Sequence, residues 1–167
     1  MSYNKNSQLH HRLCYNDMAT TEGRYIMGLN HFEEASQSQW LNLIHAAQTH
    51  SGYQFSDELK QYLVLTLQHY TTELTLPDSI IAVDYMKALH QSGSQQSHEL
   101  RNIGDQCLLL TGLFPERIEQ KNVSLDYIIT VGKQSYLHIA LEHHLPRFNN
   151  ELFHDLEEHF VGLADIL

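Results

Sequence analysis

A chain of 167 residues fits one domain and buries roughly 68–70% of the surface that its unfolded form exposes. Its 20 acids against 10 bases leave a formal net charge of −10, which disfavours nucleic acid and anionic membranes as partners, since both are met by basic surface. Two cysteines, Cys14 and Cys107, with no CxxC pair, exclude a disulfide scaffold and a paired-cysteine metal site.

Residues 1–35 are rich in Asn, Gln, Ser, Thr and His and show no sustained apolar period. They read as a polar N-terminal arm, weakly structured, with a short helix near Thr21–Glu34. The segment MSYNKNSQLHHRL has no apolar stretch of signal-peptide type, and no apolar run approaches the roughly 20 residues of a membrane span. A soluble cytoplasmic protein is expected.

Helix signals dominate from Ser36 onward. Ser36 and Gln39 form a capping box before Trp40, Leu43, Ile44 and Ala47, and Ser51-Gly52 closes that helix. Ser56 caps the next helix, with Asp57 and Glu58 near its positive end and Leu59, Tyr62, Leu63, Leu67 and Tyr70 on its apolar face. Pro77 suits the first turn of a third helix, Ile80 to Leu89, which gives out at Gln91-Ser92-Gly93-Ser94. A fourth opens after Ser97, carries Leu100, Ile103, Cys107, Leu110 and Phe114 as the central stripe of the core, and closes at Pro115. Ser124, flanked by Val123 and Ile128 as a hydrophobic staple, caps a fifth helix that reaches Leu145 and stops before Pro146. Asn149 or Asn150 caps the last, with Leu152, Leu156, Phe160, Leu163 and Leu167 on one face. The expected fold is all-α: a single-domain bundle of about six helices over residues 36–167.

The segment LRNIGDQCLLLTGLFPERIEQKNVSLDYIITVGKQSYLHIA resembles a family of uncharacterised bacterial helical proteins. The pattern is an arginine-containing helix with Gly-Asp, then Gly-x-Phe-Pro, then an aromatic-rich helix with Gly and a later Tyr. Here it falls on Arg101, Gly104, Asp105, Gly112, Phe114, Pro115, Ser124, Tyr127, Gly132 and Tyr136, and ELKQYLVLTLQHYTT matches that family's earlier helix. Ile128 stands where a second aromatic is expected. The resemblance covers the chain from about Ser56 and implies a bacterial helical domain of unknown function, with no activity to carry over.

Three glycines inside these helices, Gly104, Gly112 and Gly132, point to close helix approach or a backbone contact, because an interior glycine costs a helix about 1 kcal/mol relative to alanine. Asp105 beside them needs a partner, and Arg101 four residues earlier, Tyr127 and Tyr136 are the candidates. Two readings follow. Asp105 fixes helix register, or Arg101, Asp105, Tyr127 and Tyr136 line a ligand-binding groove opened by the glycines. Thirteen histidines are the second anomaly. His138 with Glu142, and Glu151 with His154 and Glu158, form a metal-ligand set on the last two helices, in which Glu151-x-x-His154 has the spacing of a di-iron carboxylate bundle. Such a bundle needs a second ExxH, which the chain lacks, and the apolar period turns His154 and Glu158 outward. His10-His11 and His143-His144 are further imidazole pairs that can take transition metals. No phosphate loop, GxSxG or HExxH occurs, so no catalytic residue is named and no cofactor is specified. A non-enzymatic helical binding or interaction module is the leading expectation, with a protein partner or a second copy of itself. A His/Glu metal-binding helical protein or enzyme is the alternative.

Overall fold

The computed structural model describes the backbone of residues 26–72, 81–142 and 147–167, and the side chains of 37–71, 81–142 and 150–167. Eight helices and no strand occur among the described residues: α1 (Ile26–Ser51), α2 (Asp57–Thr72), α3 (Ile81–Leu89), α4 (Gly93–Leu113), α5 (Pro115–Gln120), α6 (Leu125–Ala140), α7 (Arg147–Glu158) and α8 (Phe160–Asp165). The protein is all-α, and none of these helices is long and apolar enough to cross a membrane. The chain divides into two units, Met1–Glu33 and Glu34–Leu167, and everything that follows concerns the second.

Local chemistry accounts for most boundaries. Gly52 adopts φ +78°, a left-handed conformation that a Cβ disfavours, and its N–H returns to the Gln48 carbonyl to close α1. The Ser56 hydroxyl accepts from the Leu59 N–H at 3.2 Å and starts α2, where Asp57 also pairs with Lys60. Ser124 does the same for α6, accepting from the Tyr127 N–H at 3.2 Å. Ser124→Ala should therefore lower the stability of the chain by about 1 kcal/mol, while Ser124→Asp should retain it; urea unfolding of the two variants checks this.

Five sequence expectations move. Ser36 does not start a helix, because α1 begins ten residues earlier, at Ile26. The fourth helix starts at Gly93 rather than after Ser97, with Ser92 extended before it. Pro115 does more than end that helix: it occupies the first turn of the six-residue α5, where its missing N–H costs nothing. Asn149 and Asn150 lie inside α7, which begins at Arg147, and Asn150 instead donates its side-chain amide to the Glu142 carbonyl at 3.0 Å. The fifth helix also ends early, at Ala140, with Leu141 as its C-cap. Pro77, Ile80, Leu145, Pro146, Cys14 and both His-His pairs lie outside the described residues.

The core is organised by α4 against α6, with α7 packed on α6 and α2 and with α3 and α8 on α4. Leu100, Cys107 and Leu108 of α4, Tyr136 and Ile139 of α6, and Leu156, Phe160 and Leu163 of α7 and α8 are fully buried. Two glycines permit this spacing. A Cβ on Gly104 would stand 2.5 Å from the Tyr136 ring, and one on Gly132 would stand 2.5 Å from the Phe160 ring. Gly112 likewise lies under Leu167 and the Ala164 carbonyl. The glycine stripe is thus filled by the chain's own side chains. Lys133 on α6 and Glu157 on α7, 3.0 Å apart, link these two helices.

Candidate functional site

Asp105 is the one buried charged residue among the described residues, and α2, α4 and α6 each bring a group to it. Its Oδ1 accepts from the Tyr62 hydroxyl at 2.6 Å and from the Tyr136 hydroxyl at 2.8 Å. Its Oδ2 faces Arg101 Nε at 3.7 Å, one turn back on the same helix. Arg101 also donates from Nε to the Tyr62 oxygen at 3.2 Å and lies over the Tyr62 ring, 5.2 Å from its centre. The Tyr62 oxygen therefore accepts from a cation and donates to a carboxylate, an arrangement that polarises both bonds. Phe153 of α7 closes the cluster against both phenol rings at 6.0–6.1 Å.

The electrostatics follow from burial. Both phenols are held well above their ordinary range, first by loss of water and then by the Asp105 carboxylate. The Arg101 guanidinium is raised, chiefly by the Tyr62 oxygen and then by Asp105, against the opposing effect of burial. Burial pushes the Asp105 carboxyl up from 3.8 and outweighs Arg101, the two phenols and His69, all of which favour its charged form. Between 3.8 and the raised value the folded chain holds a proton that the unfolded chain has released. The contribution of Asp105 to stability is thus full below 3.8 and falls as pH rises through the folded value. Relative to Asp105→Asn, the parent chain should lose stability between acid and neutral pH; parallel urea titrations read the difference, and a gain on raising pH would contradict the sign.

Of the four residues expected around a groove, the structure brings together Arg101, Asp105 and Tyr136. Tyr127 is elsewhere. It stands nine residues from Tyr136, half a turn off in phase at 3.6 residues per turn, and its side chain is 41% exposed. Tyr62 takes the place that Tyr127 was given. Tyr62 and Tyr136 are at most 1% exposed and the ring of Tyr136 fills the space over Gly104, so this cluster is an interior lock joining three helices.

The metal-ligand set is also rearranged. His154 and Glu158 do converge, but with Asp155, their ligand atoms all within 4.8 Å on the outward side of α7. His138, Glu142 and Glu151 are not part of this group. His138 Nδ1 lies 2.7 Å from the Gln134 carbonyl and 3.4 Å from the Tyr85 hydroxyl. The arrangement is a surface trio rather than an inward-facing carboxylate bundle. The Cys107 thiol, buried against α6, is pushed up to about 12 by burial and then by Asp105, leaving it in the unreactive thiol form.

A feature that sequence reasoning missed lies on α3. Its sequence, IAVDYMKAL, is apolar nearly all round, yet only Ala88 is buried. Val83 and Met86 are 44% and 54% exposed and, with Ala82, Lys87 and His90, line an open groove of about 530 Å³. The signal was present: a nine-residue helix with two charges has more apolar surface than one packed face can cover. No protein-family model, curated protein or solved structure matches the chain, so the likeness seen around Gly104-Asp105 rests on those residues alone.

Proposed function

We propose that this chain is a non-enzymatic helical interaction module of the bacterial cytoplasm that binds protein through the outer face of α3. The exposure of Val83 and Met86 on a helix that is apolar nearly all round carries the reading, because uncovered apolar surface of this kind is what protein interfaces cover. The interior supports it. Arg101, Asp105, Tyr62 and Tyr136 are spent on one another, which makes a rigid platform behind α4, the helix on which α3 rests. A photo-reactive residue at position 83 of the full chain, irradiated in cells, should yield a discrete protein adduct that Met86→Glu abolishes. The same residue at the exposed position 119 should yield none. Absence of any adduct specific to position 83 would overturn the reading.

A second reading has its own observation, the convergence of His154, Asp155 and Glu158. An imidazole and two carboxylates at this spacing suit zinc or another divalent transition metal, and the chain would then be a surface metal binder. Zinc added to tag-free protein should bind with one equivalent that is lost in the His154→Ala/Glu158→Ala variant by native mass spectrometry. Unchanged stoichiometry would remove this reading.

A further inference from the structure

The partner that best fits the α3 face is a second copy of the same face, and we propose that the chain forms an isologous dimer through antiparallel pairing of α3 with α3. This rests on the reading of α3 as the contact surface and names its occupant. The argument is the distribution of charge and apolar groups along the helix. Val83 and His90 lie along the middle of the exposed face. Met86, with Ala82, forms one edge, and Asp84 and Lys87, which pair at 3.2 Å, form the other.

A two-fold axis across the middle of the helix keeps each edge on its own side while reversing its direction. Near Tyr85 and Met86, that operation sets Met86 against the partner's Met86. On the other edge it sets Asp84 against the partner's Lys87 and Lys87 against the partner's Asp84. The acid precedes the base along the chain, so the reversed copy is complementary. A parallel two-fold copy would swap the edges and set Asp84 and Lys87 against the partner's apolar edge, leaving them without opposite charges across the axis. The whole chain carries a net charge of −10, which opposes most self-contacts, but on this face the one acid is already balanced by Lys87.

Size limits the strength. A helix of nine residues is only about 14 Å long, and on its own it covers less than the roughly 800 Å² per partner of a standard stable interface. The dimer is accordingly weak and reversible, with Kd on the order of 100 μM.

Sedimentation of the full chain from about 10 μM to about 1 mM spans that range and tests the proposal. The parent chain should pass from monomer to dimer. Met86→Glu, which opposes two carboxylates across the axis, should weaken association at least tenfold. Asp84→Lys, which opposes each new lysine to a partner's Lys87, should weaken it as well. The double exchange Asp84→Lys/Lys87→Asp should restore it, a recovery that no unrelated contact surface would give. All three positions are on the surface, and circular dichroism confirms that each variant is folded. A monomer throughout, or a dimer indifferent to Met86→Glu and to the charge exchange, would overturn the proposal. Failure here is separable from failure of the wider reading: an adduct at position 83 with a different protein keeps α3 as the contact surface and rejects the second copy, whereas no adduct rejects both.

Discussion

Asp105→Ala is expected to cost about 3–5 kcal/mol, the range found when one member of a buried ion pair is removed. The alanine would leave the Tyr136 hydroxyl, which is completely buried, without its acceptor, and the Arg101 guanidinium without a counter-charge. The Tyr62 hydroxyl would retain only the hydrogen bond in which it accepts from Arg101. Against a total stability of about 5–15 kcal/mol for a domain, this is enough to unfold a marginal protein. Asp105→Asn should cost less, because its amide oxygen still accepts from both phenols and only the charge facing Arg101 is lost. Equilibrium urea unfolding separates the two. A loss below about 1 kcal/mol for the alanine variant would mean that water enters and replaces the carboxylate.

Gly132→Ala is the second large effect, and its sign runs against helix propensity. Alanine should gain about 1 kcal/mol over glycine in an exposed helix interior. At this position the new Cβ would meet Phe160 Cε2 and Cζ at 2.5 Å and Cys107 Cβ at 2.8 Å. Phe160 and Cys107 are both fully buried, so neither has free space into which to retreat. Overpacking of this sort costs typically 1–3 kcal/mol and occasionally more, and with contacts this short the steric loss wins, leaving a net destabilisation of about 2 kcal/mol. The urea midpoint should fall accordingly. A variant more stable than the parent would show that α6 can separate cheaply from α8 and α4.

Both predictions depend on features of unequal legibility in the amino-acid order. The stripe Leu100, Ile103, Cys107, Leu110 and Phe114 announces α4 as a core helix because its period matches the helical repeat; its first three members are buried, while Leu110 is half-buried and Phe114, at the helix end, is exposed. Cap signals are weaker. Ser36 with Gln39 has the composition of a helix start, but Glu33, Glu34 and Ala35 before it are good helix formers, and the helix continues through. The helix that starts at Gly93 opens with a turn of Gly, Ser and Gln that no apolar period could mark. Asp105 was identifiable as a carboxylate in need of a partner, and Arg101 as one partner, since both lie on one helix. Tyr62 was not, because it is 43 residues away and nothing local ties it to Asp105. Choosing between Tyr127 and Tyr136 was within reach of simple phase counting, since only Tyr136 shares a face with the buried Ile128, Gly132 and Ile139. The third member of the surface trio, Asp155, was outside the expected set, and its convergence with His154 and Glu158 depends on rotamers that spacing does not fix.

Cys107 gives the molecule an internal clock. Its thiol sits where α4 meets α6, beside the space that Gly132 leaves for Phe160, and burial keeps it protonated up to about 12. A thiol reagent can reach it only after those helices part, so the alkylation rate at this one position counts openings of the core rather than collisions at the surface. Peptide mapping separates that signal from Cys14. Under native conditions the rate at Cys107 becomes a direct measure of how often the three-helix lock around Asp105 releases.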